Sequence, residues 1–211
     1  MSSGALQRPA AVLHNRIKRG DSPRHTPGMD KKDWEARYQD QAIDTTGNVP
    51  PLLRDNTHLF AGGAALDIAM GTGQNAVFLA EHGYDVTGID RSSSAVCLAG
   101  QRAKNAGVTM NAVEADALEY AIGDQSYDAI LDFYFLERRL IPKIKKGLKK
   151  NGLIFFETYT TEQTGFGRPS NPDFLLTPNE LLTAFLDFFI IYYHERVEES
   201  KAIAGLIAQR V

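Results

Sequence analysis

Between Leu66 and Asn75 the chain reads Leu-Asp-Ile-Ala-Met-Gly-Thr-Gly-Gln-Asn, an apolar run that carries one acid, Asp67, and ends in a glycine-spaced turn. Glycines at such a turn let the backbone approach a ligand closely, and the helix expected after it offers free N–H groups at its N-terminus. Seventeen residues after Gly73, Asp90 closes a second apolar run, Val86 to Ile89, where a carboxylate is placed to accept both hydroxyls of a ribose. Asp116 and Ala117 follow a third run and suit an adenine amino group and ring face, and Asp132 lies in a fourth, Tyr127 to Phe133, facing the crevice between strands. In that order, these residues imply a nucleoside-containing cofactor.

Two cofactors fit the spacing. Gly71-x-Gly73-x-x-Ala76 satisfies a dinucleotide fingerprint, which keeps a nicotinamide cofactor open. An acid at Asp67, a position usually apolar in nicotinamide-binding strands, and another at Asp116 tilt the reading toward S-adenosylmethionine, whose charged amino group Asp67 would receive. Each residue also has a bland reading: a glycine turn for strand-to-helix geometry, Asp90 as a cap for the serine run after it, Asp116 as a turn residue. Their joint occurrence at the ends of three successive strands argues against the bland set.

The elements that must position them alternate. A helix over residues 31–41 with Trp34, Tyr38 and Ile43 one turn apart, and a second over 51–60, precede the first strand at 64–69. Then come a helix over 74–82, a strand at 85–89, a serine-capped helix over 92–105 and a strand at 109–113. A strand at 127–133, a helix over 139–149 and a strand at 153–158 continue the pattern, and Pro178 opens a further helix. Two consecutive strands at the C-terminus, 188–195 and 201–209, form a hairpin, which puts an antiparallel strand at the edge of an otherwise parallel sheet. The expectation is one doubly wound, Rossmann-like α/β domain over residues 30–211.

Composition bounds the partners. At 211 residues and 43% hydrophobic, the chain suits a single globular domain, and its apolar stretches are too short to cross a membrane. One cysteine, Cys97, excludes an internal disulfide or a zinc cluster and favours the cytoplasm; no metal site is expected. Residues 1–28 carry a net charge of +4 and the remainder −7, so residues 1–29 read as a basic, mobile extension. The acidic body disfavours a nucleic-acid partner and leaves a small-molecule acceptor and a monomer or homodimer.

The chain resembles the class I S-adenosylmethionine-dependent methyltransferases, most of all the tellurite-resistance type. The resemblance rests on Trp34-Glu35-Ala36-Arg37-Tyr38, the glycine loop, AEHGYDVTGID, VEADA, YDAILDFYFLERRLIP, GLIFFETYT and NPDFLLTPNELL. It implies a seven-stranded sheet of order 3-2-1-4-5-7-6 with the last strand antiparallel. It also implies that Asp67, Ala69, Gly71, Gly73 and Asn75 surround the cofactor's methionine part, Asp90 and Arg91 its ribose, and Asp116 and Ala117 its adenine. Asp132 and Phe133 would lie beside the sulfonium, and Trp34, Arg37 and Tyr38 would cover the cofactor. Tyr134 and Arg168 are the candidate acceptor-binding residues. No catalytic residue is assigned, because transfer from an activated sulfonium needs mainly alignment and exclusion of water; Asp132 and His194 are candidate bases for a protic acceptor. The tetrapeptide after strand four, Asp132-Phe133-Tyr134-Phe135, departs from the NPPY or DPPY of base and amide methyltransferases. Expected acceptors are a metalloid oxyanion or a thiol; the alternatives are a nicotinamide-dependent oxidoreductase and a cofactor-binding protein without turnover.

Overall fold

The apolar runs pair as seven strands in the order β3-β2-β1-β4-β5-β7-β6. The computed structural model describes residues 31–39 and 48–211, so the expected extension over residues 1–29 lies outside the described residues. Strands β1 (Gly63–Ile68), β2 (Tyr84–Asp90), β3 (Asn111–Glu114), β4 (Tyr127–Phe133) and β5 (Leu148–Tyr159) run parallel. Strand β7 (Ala202–Gln209) inserts antiparallel between β5 and β6 (Phe189–Val197), as the terminal hairpin requires. The order reverses between β1 and β4, and the carboxyl ends of the strands at such a reversal are where open α/β sheets bind ligands.

Strands buried on both faces need apolar residues at both parities, and β1, β4 and β5 have them. On one face Leu66, Ile68, Ile130 and Phe156 pack under α5 (Ile141–Gly147) and α6 (Glu180–Ala184), through Ile144, Leu181 and Phe185. On the other, Ala65, Leu131, Phe133 and Phe155 pack under α2 (Pro51–Arg54) and α3 (Gln74–Glu81), through Leu53, Ala76 and Leu79. Helix α4 (Ser93–Ala106) lies beside α3 over β2 and β3, and α1 (Lys31–Gln39) docks on α4.

The larger departures from the periodicity reading fall at two places. The helix expected over 51–60 stops at Arg54, because Asp55 caps it and the chain re-forms only a 3-10 turn at Thr57–Leu59. The helix expected over 139–149 is shorter, Ile141–Gly147, and β5 begins at Leu148, which pairs with Tyr127 before a register shift. Asn151, at φ 64, takes up that shift. The lysine-rich run looked helical by composition, but Leu148 is fully buried in the sheet.

Candidate active site

Three left-handed residues shape the turn after β1: Ala69 at φ 52, Gly71 at φ 55 and Gly73 at φ 76. A β-carbon at Gly73 would stand 2.7 Å from that of Ala99 on α4, so the turn needs glycine for space as well as for backbone angle. Asp90, at the end of β2, ties the turn down: its carboxylate accepts from the Gly71 N–H at 2.9 Å and from the Ser92 N–H at 2.9 Å. The capping reading of Asp90 therefore has a physical basis, with Ser92 itself serving as the N-cap of α4 through Ala95. Burial raises the Asp90 pKa despite those two donors.

Arg102, on the buried side of α4, was not expected from the sequence. It donates from Nε to the Thr72 carbonyl at 2.9 Å and from Nη2 to Thr72 Oγ1 at 3.2 Å, holding the turn from behind. Its distance along the chain from the glycines hid it. Arg102→Met should leave the fold intact and speed amide exchange at Gly73 at least tenfold, measured by hydrogen exchange; unchanged exchange would mean that Asp90 alone fixes the loop.

The electrostatic centre is a pair of carboxyls at the switch point. Asp67 and Asp132 are each only 1% exposed, on adjoining strands where Ile68 pairs with Asp132. Asp67 Oδ2 and both oxygens of Asp132 have no hydrogen-bond partner. Burial pushes the Asp67 carboxyl up to about 8, against a backbone hydrogen bond from Ala76 and with the charge of Asp90 adding to the rise. Asp132 is raised well above the usual carboxylate range, first by burial and then by Asp67. Buried acids without donors are costly unless a ligand supplies the donors or a proton neutralises them.

The remaining predicted residues fall as follows. Phe133 is buried beneath α3 in the core face shared with Phe155. Ala69 and Asn75 are half-buried at the turn, and Arg91 is half-buried beside Asp90 with its Nε unpartnered. Asp116 is exposed and accepts from the Leu118 N–H at 2.9 Å in a tight turn, while Ala117 is buried. Tyr38 is buried against Ala95 and Leu98, its hydroxyl over Gly71. Trp34 and Arg37 sit on α1, and their side chains lie outside the described residues. Arg168 is exposed on the loop after β5, whose backbone is pinned by Gln163 at 3.2 Å. Arg138 is committed within the fold: it clasps Glu180 at 2.5 and 3.1 Å and the carbonyls of Asp173 and Leu175.

Helix α1 is fixed by a residue quoted only as part of a motif. The Glu35 carboxylate accepts from Ser92 Oγ at 2.7 Å, Ser93 Oγ at 3.0 Å and the hydroxyl and N–H of Ser94, at the N-terminus of α4. The serine hydroxyls hold its pKa down at about 2. Glu35→Ala should cost about 1 kcal/mol in urea unfolding, the usual value of a lost cap; no loss would detach α1 from the folding unit.

A methyltransferase-domain family model matches residues 65–152, the stretch from β1 through the start of β5. Residues 65–152 are a methyltransferase domain. A Geobacillus sp. (strain WCH70) protein named as a methyltransferase is 33% identical over 105 residues, covering 46% of this chain and 42% of its own. TehB of Haemophilus influenzae, named as an S-adenosyl-L-methionine-dependent methyltransferase, is 25% identical over 142 residues, covering 64% of this chain and 49% of its own. The chain thus spans about half the length of the curated relatives it matches. The crystal structure of Haemophilus influenzae TehB superposes with a TM-score of 0.67 over 86% of this chain and 67% of that one, at 18% identity. The methyltransferase domain therefore sits in a class I fold whose strand order is the expected one, with the carboxyl pair and the glycine turn both inside the matched residues.

Proposed function

We propose that this chain is an S-adenosylmethionine-dependent methyltransferase of a small-molecule acceptor. One observation carries the reading: Asp67 and Asp132 are buried at the switch point, with Asp67 Oδ2 and both Asp132 oxygens lacking donors. S-adenosylmethionine brings an α-ammonium and a sulfonium, cations that such a pair attracts, whereas a dinucleotide brings an anionic pyrophosphate that it repels. The residues present fit the cofactor. Asp67 and the turn Ala69, Gly71, Gly73 and Asn75 would hold its methionine part, Asp90 and Arg91 the ribose, Asp116 and Ala117 the adenine. Asp132 and Phe133 would lie by the sulfonium, and Trp34, Arg37 and Tyr38 over it. When bound, the cofactor supplies an already activated methyl group, so the chain contributes alignment and dryness.

The acceptor would enter beside Tyr134 and Arg168. The single cysteine, Cys97, supports a reducing, cytoplasmic setting. Calorimetric titration with S-adenosylhomocysteine, with NADH as the paired control, tests the cofactor. Micromolar binding of the former alone is expected; binding of NADH alone overturns the reading and returns Gly71-x-Gly73-x-x-Ala76 to a dinucleotide site. An acceptor screen then begins with tellurite, selenite and small thiols, and binding without any transfer would favour a protein that holds the cofactor without turnover.

A further inference from the structure

A second polar cluster lies at the carboxyl ends of β4 and β5, apart from the residues proposed to hold the cofactor. Tyr134 follows β4 in a left-handed conformation, φ 59, secured by its N–H to the Glu157 carbonyl at 2.7 Å. Its hydroxyl donates to Glu157 Oε1 at 2.6 Å and accepts from Lys201 Nζ at 3.0 Å. Glu157 is fully buried near the carboxyl end of β5, and its Oε2 has no hydrogen-bond partner. His194 Nε2 stands 3.8 Å from that oxygen, and neither ring nitrogen is hydrogen-bonded. The ring lies over Gly205, where a β-carbon would come within 2.4 Å of His194 Cε1; Gly205 pairs with both Glu157 and His194 across the sheet. A strained tyrosine, a buried acid and a lysine assembled this way form a proton-transfer arrangement at the expense of backbone comfort.

Building on the methyltransferase reading, we infer that Tyr134 is the general base of the transfer and that the acceptor is a neutral small molecule presenting a weakly acidic O–H. The acceptor oxygen attacks the sulfonium methyl; the new O–CH3 bond forms as the S–CH3 bond breaks, and that electron pair stays on sulfur as the thioether. The acceptor's proton passes to the Tyr134 oxygen while the Tyr134 proton passes to Glu157. One cation and one carboxylate disappear together, a change that a dry site favours. A phenol's ordinary pKa near 10 matches a weakly acidic hydroxyl, as efficient proton transfer requires. Lys201 and Glu157 position Tyr134 rather than touch the acceptor.

The same groups disfavour a pre-ionised oxyanion. Facing Glu157 are Tyr134, His194, Arg196, Glu198 and Lys201. Lys201 is shared between Tyr134 and Glu198, and Arg196 pairs with Glu198. His194 is held neutral, its pKa lowered to about 4 by burial and by Arg196. An anion entering here would meet a carboxylate with no cation to spare.

The test is methyl transfer from S-adenosylmethionine to catechol and 4-methylphenol against selenite and tellurite, read as S-adenosylhomocysteine formed. The expected result is transfer to the phenols at a rate rising with pH. Tyr134→Phe and Glu157→Gln should each lower kcat at least 100-fold with the S-adenosylhomocysteine Kd within twofold, and Glu157→Gln should move the pH midpoint of the residual rate. Transfer to the oxyanions that survives Tyr134→Phe overturns the inference, as does an unchanged kcat with the phenols. Should none of the four be methylated, carbon-13 NMR of the glutamate carboxyls decides. A Glu157 resonance, assigned by its loss in Glu157→Gln, that shifts its titration in Tyr134→Phe supports the relay, and one insensitive to Tyr134 overturns it. Failure of the underlying reading shows separately, as wild-type protein that does not bind S-adenosylhomocysteine at all.

Discussion

Gly73→Ala lowers the unfolding free energy by about 3 kcal/mol and abolishes measurable S-adenosylhomocysteine binding; urea titration and calorimetry read the two effects. The stability loss has two parts. A β-carbon at φ 76 brings left-handed strain of about 1–2 kcal/mol. It also meets the Ala99 β-carbon at 2.7 Å and the Ala99 backbone at 3.1 Å, an overpacking contact worth about 1–3 kcal/mol that α4 relieves only by moving. Gly107 separates the parts, because it has φ 71 with open space around its Cα, so Gly107→Ala pays strain alone and costs about 1 kcal/mol. Combining Gly73→Ala with Ala99→Gly restores part of the loss. If Gly73→Ala proved no worse than Gly107→Ala, the contact between the turn and α4 would carry no energy. Binding falls further than stability because α4 also carries Arg102, which holds Thr72. A shift of the helix moves both ends of the turn.

That coupling explains what the sequence could and could not display. The turn was legible because glycine at fixed spacing after an apolar run has few other uses, and the antiparallel edge followed from one terminal hairpin joined to alternating helices and strands, whereas the strand order came with the family resemblance. Asp67 stood out because an acid inside an apolar strand demands a reason. Glu157 offers the same signal within Leu153–Tyr159, a lone acid in a buried run, and it passed as part of a strand motif because no glycine turn marked it. Arg102 and Glu35 were not legible. Their partners, Thr72 and the serines 92–94, lie 30 and 57–59 residues away, and only the packing of α4 on α3 and of α1 on α4 brings them together. The early start of β5 differs from the sequence reading because composition favoured helix and tertiary burial of Leu148 prevailed, whereas α2 is cut short locally at Asp55.

Asp67→Asn should stabilise the ligand-free protein and damage the function proposed for it. The folded-state pKa of Asp67, about 8, lies above the unfolded value near 4. Between those pH values the native state holds a proton that the unfolded chain has released, so stability falls as pH rises through that window and is unaffected by this group below it. Asparagine is neutral throughout and fills nearly the same volume. The substitution should therefore raise unfolding stability at pH 8 by about 5 kcal/mol, with the advantage vanishing near pH 4. Asp132 is raised by the same burial and by Asp67, so residual pH dependence should remain until Asp132→Asn is added. Binding reverses the order of preference. The α-ammonium of S-adenosylhomocysteine would draw the Asp67 proton off, so wild-type binding at pH 7 should release close to one proton, seen as a buffer-dependent heat between phosphate and Tris. Asp67→Asn should abolish that release and weaken binding about 100-fold, the scale of a lost charge-assisted contact. A variant less stable than wild type at pH 8, or one that binds equally well with the same proton release, would remove Asp67 from the cofactor site and leave Asp132 to meet the cation alone.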